Sequence, residues 1–178
     1  MILECEKGIA LRSITEADTE NVLRWRNSDK VRRYFNYQEP VTENEHASWL
    51  EHEVQNGHVH QFIVHSNDLG KDIGSVYLKN ISETSRKAEY GVFFGEPEAI
   101  GKGYGTIVAK AMIDYAFNNL QLHKLYLQVH ATNLRAIKCY EKAGFFTEAV
   151  LKDHVFVNGS YCDIVIMSIL NDDSSTTA

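Results

Sequence analysis

Apolar and polar positions fall into two registers along the chain. Seven short runs read as strands: 9–14, 61–65, 73–79, 87–94, 124–129, 146–157 and 160–170. Between them, apolar residues recur at helical spacing, three and four apart. Thr15 with Asp18 forms a near capping box, predicting a helix to about Asn27, and Ser28 opens a shorter one through Val31, Tyr34 and Phe35. After Pro40, Thr42-Glu43-Asn44-Glu45 is a full capping box; His46, Trp49, Leu50 and Val54 then share one side, and Gly57 ends the helix. Residues 105–118 place Ile107, Val108, Ala111, Met112, Tyr115 and Ala116 on one face. Asn133 caps a last helix, 134–143, with Gly144 just beyond it. Asn158-Gly159 joins the two final strands as a tight hairpin.

The unit from 87 to 129 is strand, loop, helix, strand. Its two strands are therefore expected to run parallel with a right-handed crossover. The whole predicts an α/β fold: one domain over 1–170, a mixed central sheet of about seven strands, and helices on both faces. Residues 171–178 are polar and read as a disordered tail.

Composition narrows the function classes. A length of 178 residues suits one domain with a sizeable core. No apolar run reaches the 18 or more residues of a membrane span, and Met1-Ile2-Leu3-Glu4-Cys5-Glu6 lacks the basic-then-apolar pattern of a signal peptide, so a cytoplasmic protein is expected. Three cysteines without a Cys-x-x-Cys argue against a disulfide scaffold or a zinc knuckle. His58 and His60 have too few partners for a metal and read as surface histidines. A net charge of −6 disfavours nucleic-acid binding. Charge is nevertheless uneven. Arg24, Arg26, Lys30, Arg32 and Arg33 face a single acid, Asp29, while Glu39, Glu43, Glu45, Glu51 and Glu53 cluster on the next helix and its lead-in.

The stretch with most chemistry is Gly101-Lys102-Gly103-Tyr104-Gly105-Thr106. Glycine admits positive φ and close approach of a ligand to the backbone. A helix N-terminus adds unpaired N–H groups and partial positive charge. Together they make a socket for phosphate or pyrophosphate. The spacing is neither that of a nucleotide P-loop nor that of the dinucleotide fingerprint, whose acid would fall near the apolar Leu125.

These residues, their order, and Asn133-Leu134-Arg135-Ala136-Ile137-Lys138-Cys139-Tyr140-Glu141-Lys142-Ala143-Gly144-Phe145 resemble the GNAT acyl-CoA N-acetyltransferases over residues 11–170. The resemblance implies acetyl-CoA as co-substrate, transferred directly to a primary amine in a ternary complex. Gly101, Lys102, Gly103, Tyr104, Gly105 and Thr106 would hold its pyrophosphate. Val92, Phe93 and Phe94 would pair with its pantetheine as an added strand, where that strand splays from the one ending at Val129. Asn133, Ala136 and Lys142 belong to the second cofactor motif, and Tyr140 would face the thioester sulfur. The family usually has Gln or Arg where this chain has Ile100, a change that could weaken cofactor affinity. Glu89, on the strand entering the cleft, is the candidate base; its other reading is a strand acid paired with a neighbour. Cys139 as an acetylated nucleophile is disfavoured, because adjacent helical positions diverge by about 100° and cannot share a target with Tyr140. A homodimer is a family expectation.

For the acceptor, the segment from Arg24 to Phe35 resembles enzymes that acetylate a nucleotide-linked 4-amino sugar of the pseudaminic acid pathway. Arg26, Asn27, Tyr34 and Phe35 would then bind substrate, with Arg gripping a diphosphate. The acidic set suits a polyamine instead, and the stretch from Asp114 to Leu127 resembles spermidine acetyltransferases. A ribosomal-protein N-terminus is a third acceptor, and a catalytically silent CoA-binding module the non-enzyme alternative.

Overall fold

The computed structural model describes residues 1–171. Eight strands form one sheet: β1 (Ile2–Glu4), β2 (Ile9–Ser13), β3 (His60–Ser66), β4 (Lys71–Ser82), β5 (Lys87–Phe94), β6 (Lys124–His130), β7 (Phe146–Val157) and β8 (Ser160–Leu170). Their spatial order is β1-β2-β3-β4-β5-β6-β8-β7. Every pairing is antiparallel except β5–β6, as the crossover between them requires.

Helices cover both faces. α4 (Tyr104–Asp114) and α5 (Leu134–Ala143) pack on one side through Val108, Met112, Tyr140 and Ala143, against Val76, Leu78, Leu125 and Leu127. On the other side lie α1 (Thr19–Arg26), the single-turn α2 (Asp29–Arg32) and α3 (Glu43–Trp49). Val22, Trp25, Val31 and Leu50 there meet Ile63 and Phe93 of the sheet.

Local chemistry sets the element ends. Asp18 Oδ2 accepts from the Thr15 N–H (2.8 Å) and hydroxyl (3.1 Å). Thr42 and Glu45 close their capping box with N–H bonds of 2.8 and 3.2 Å. Gly144 ends α5 at φ 111°, the left-handed region where a Cβ is costly. Three features differ from the sequence-based expectation. β1 is an additional strand, three residues long, paired with β2 from Ile2–Arg12 to Glu4–Ala10. α3 and α4 each finish in a wider turn, Leu50–Val54 and Tyr115–Asn119, rather than continuing as plain α-helix. Asn171, assigned to the tail from sequence, donates its N–H to the His123 carbonyl at 2.8 Å. Residues 172–178 lie outside the described residues.

Candidate active site

β5 and β6 pair through only three rungs, ending at Glu89 opposite Tyr126. Beyond that rung they separate, and each keeps its other neighbour: β5 pairs with β4 up to Gly74–Phe94, β6 with β8 up to His130–Ile164. The backbone of Tyr90 to Phe94 therefore has no partner strand on its β6 side. Val92, Phe93 and Phe94, expected to pair with an extended ligand, lie on this open edge, which opens in the middle of the sheet.

The chain leaves β5 at Gly95 and reaches the glycine loop through a short turn, Pro97–Ala99. Gly101 and Gly103 both have φ of 81°. A Cβ at either would meet nothing within 4 Å, so their constraint is conformation, not space. Among the described residues, the amides of Gly101, Lys102, Gly103, Tyr104 and Gly105 donate to no carbonyl or side chain, while Thr106 N–H returns to Gly103 O at 3.1 Å. Five free amides in sequence at a helix N-terminus fit a diphosphate. The Lys102 side chain is exposed, whereas the Tyr104 ring is buried and its hydroxyl lies 3.4 Å from Ser66 Oγ. Tyr104 can therefore serve a ligand only through its N–H. Gly103→Ala should weaken coenzyme A binding about fivefold by calorimetry, because a left-handed L-residue costs about 1–2 kcal/mol. Unchanged affinity would mean the loop conformation does not matter.

Gly105 meets a second constraint besides its free amide. Its position would put a Cβ 2.8 Å from Cys139 Sγ, so the missing side chain lets α4 and α5 approach closely. Thr106 Oγ1 also lies 3.5 Å from that sulfur. Cys139 thus faces α4, and Tyr140, the next residue, points elsewhere. The Tyr140 ring stands edge-on to Tyr90 (5.9 Å) and Phe145 (6.0 Å). Burial, with smaller effects from Cys139 and Tyr77, raises the phenol's pKa above the ordinary tyrosine value, so it keeps its proton at neutral pH. Asn133 Oδ1 accepts from Ala136 N–H at 3.3 Å as the cap of α5. Lys142 is exposed at the far end of that helix.

The opposite face of the slit carries Glu89 and Phe93 from β5 and Tyr126, Gln128 and His130 from β6. Glu89 is 9% exposed. Asn80 Nδ2 donates to its Oε2 at 2.8 Å, and Lys79 Nζ lies 3.5 Å from Oε1. It is paired, yet buried at the root of the slit rather than on the surface. Tyr77 lies across Gly91, whose Cβ would fall 2.4 Å from the ring. Burial and then Glu89 push the Tyr77 phenol up to about 12, against a smaller opposing effect of Arg26.

Of the proposed acceptor residues, the fold brings Arg26 and Phe35 to this face. The Arg26 guanidinium stacks 3.8 Å over the Phe35 ring, which stands edge-on to Phe93 at 5.9 Å. Arg26 Nη2 donates to Tyr37 O at 2.9 Å, while its Nη1 is buried without a partner among the described residues. Asn27 uses both ends of its amide on the Val41 backbone, at 2.8 Å each. Tyr34 is turned outward beneath Arg33. The remaining basic side chains divide. Arg24 joins Glu96 at 2.7 Å and Arg32 joins Asp29 at 2.7 Å, but Lys30 and Arg33 form no ion pair among the described residues. Of the acidic set, Glu39, Glu43, Glu45 and Glu51 are exposed. His60, expected at the surface, is half-buried against Tyr115, with Nδ1 2.7 Å from its hydroxyl; His58 is exposed near Glu53.

Sequence inspection missed Glu96, Tyr77 and Tyr90. Alternation along β5 does place Tyr90 with Ala88 on the core side, but nothing local marks its contact with Tyr140.

Comparison with known proteins agrees with this geometry. The family model for the acetyltransferase (GNAT) domain matches residues 9–146. The spermidine N(1)-acetyltransferase of Vibrio cholerae is 34% identical over 168 residues, covering 91% of this chain and 92% of that protein. The enzyme of the same name from Escherichia coli K12 is 34% identical over 167 residues, covering 91% and 86%. A crystal structure of the Vibrio cholerae spermidine N-acetyltransferase with CoA and spermine superposes with a TM-score of 0.85 at 30% identity, covering 92% of this chain and 95% of that one.

Proposed function

The chain belongs to the GNAT acetyltransferase family, and we propose that within it the acceptor is a polyamine. It is an N-acetyltransferase that uses acetyl-CoA. The observation that carries the polyamine reading is its relation, at 34% identity over 91% of its length, to enzymes named for spermidine.

Acetyl-CoA supplies an activated thioester whose sulfur leaves as a thiolate. The five amides from Gly101 to Gly105 hold the diphosphate, and the free edge of β5 aligns the pantetheine as an added strand. The protonated Tyr140 phenol lies on the α4–α5 side of the slit. Its raised pKa means that it donates a hydrogen bond to the leaving sulfur and does not surrender the proton, since a free thiol titrates lower, near 8.5. Glu89 sits on the other side. As the attacking amine loses its proton, this carboxylate takes it, directly or through a water.

Glu89→Gln should reduce kcat about tenfold at pH 7, a modest part of what a positioned base supplies. Part of the loss should return near pH 10, where a primary amine deprotonates unaided. Equal turnover at pH 7, or a loss that is the same at every pH, removes Glu89 as the base.

A second reading, a nucleotide-linked amino sugar, is favoured by one specific feature. Arg26 has a buried Nη1 without a partner among the described residues, and a cleft of about 270 Å³ is lined by Lys30, Arg32 and Arg33 together with Asp29, Gln38 and Asn158. A cation there suits a diphosphate and opposes a polyamine. Thiol release from acetyl-CoA with spermidine, spermine, UDP-linked 4-amino sugars and an N-terminal peptide separates the readings. Highest kcat/KM on spermidine or spermine supports the proposal. A nucleotide sugar turning over faster overturns it in favour of the second reading. Coenzyme A binding with no turnover of any amine supports the silent module.

A further inference from the structure

His130 is the last residue of β6, 5% exposed, and belongs to none of the steps above. Its Nε2 lies 3.0 Å from Asn36 Oδ1. A carbonyl oxygen only accepts, so Nε2 carries the hydrogen and donates. Burial lowers the His130 pKa, which leaves the ring neutral with a single N–H committed to Asn36. Asn36 itself is exposed, in the segment that joins α2 to α3.

That segment is fastened at several points. Phe35 stands against Phe93 of β5, Asn36 is held by His130 of β6, Tyr37 O accepts from Arg26, and Val41 is held by Asn27. Gln38 Nε2 donates back to Arg32 O at 3.0 Å and to Phe35 O. The two consecutive residues Phe35 and Asn36 thus attach to opposite arms of the slit. The segment crosses its mouth on the face that carries Glu89 and Tyr77.

We propose that residues 33–41 form a strap that positions the acceptor across the slit, and that His130 is the positioning residue fixing the strap to the β6 arm. The strap sets the distance between acceptor and slit. Its claim rests on the acceptor approaching from the Glu89 face and is independent of which amine it is.

The test compares the whole protein with His130→Ala, His130→Gln and Asn36→Ala. In His130→Ala, hydrogen exchange of amides in 33–41 should speed up about fivefold, the equivalent of one lost hydrogen bond, while β5 and β6 exchange unchanged. KM for the best amine in the panel should rise about fivefold, and KM for acetyl-CoA should stay within about twofold. His130→Gln keeps a donor of similar reach and should recover part of both effects. Asn36→Ala removes the same bond from an exposed side chain, so it gives the answer should the buried substitution fail to fold. Unchanged exchange in 33–41 overturns the strap. Faster exchange with both KM values raised alike, or with neither raised, overturns its role in positioning the acceptor. Exchange is read without any acceptor, so a failed polyamine panel and a failed strap are distinguishable.

Discussion

Tyr140→Phe lowers kcat about 100-fold, within the range seen when one preorganised donor to a developing anion is removed. KM for acetyl-CoA changes little. In the role proposed for it, the phenol meets the ligand only at its sulfur, and the charge that rewards a hydrogen bond exists there only as the thiolate forms. The Phe side chain fills the same space between Tyr90 and Phe145, whose edge-on contacts use the ring and not the hydroxyl. Removal of that one hydroxyl from this aromatic cluster should therefore leave the fold intact. Steady-state kinetics with the amine saturating measures the effect. A kcat within about threefold of the parent protein would sink the role given to Tyr140, since it would leave less than 1 kcal/mol for a charge-assisted bond ordinarily worth about 1.5–3 kcal/mol.

Gly95→Ala destabilises the protein by about 3 kcal/mol, the sum expected from overpacking a core site and straining a bond to a charged group. The added Cβ would lie 1.9 Å from Trp25 Cδ1 and 2.0 Å from Cγ. Trp25 is 1% exposed and enclosed by the α1–α3 core, so it has nowhere to retreat. It also donates its indole N–H to Glu96 Oε1 at 2.8 Å. Burial raises the pKa of Glu96, but that bond, with those from Lys71 at 2.9 Å and Arg24 at 2.7 Å, outweighs it and holds the carboxyl at about 2. Moving the indole disturbs the whole junction, which ties α1 to the turn leading into the glycine loop. Urea unfolding monitored by far-UV circular dichroism gives the number, and the melting midpoint should fall by roughly 10 °C. A loss below about 1 kcal/mol would mean that Trp25 repacks freely.

Elements whose signals are local were legible in the sequence. The crossover from β5 to β6 and the caps at Thr42, Asn133 and Gly144 follow from residues within a few positions of each other. The divergence of Cys139 and Tyr140 follows from helical geometry alone. Residues whose partners are distant in sequence were not legible. Glu96 acts with Trp25, 71 positions away, and His130 with Asn36, 94 positions away. Gly105 reads as a third ligand glycine and its amide is free, but the sulfur on another helix that forbids a side chain there is 34 positions away. β1 was missed because three residues, two of them exposed, carry too little pattern. The acceptor was obscured for a similar reason. Charge along α1–α3 shows two patches, and only the fold shows that Arg26 and Phe35 turn toward the slit while most of the acids remain in solvent.

Strands with unsatisfied edges invite other proteins to join them. Here both outer borders of the sheet are blunted. β1 offers three residues, and β7 is broken twice in register, between Thr147 and Ala149 and between Leu151 and Val155, with Asp153 at φ 47°. Runaway stacking of one molecule on the next is thereby disfavoured. The inviting border has been moved indoors, between two strands of one chain, where only what enters the slit can reach it.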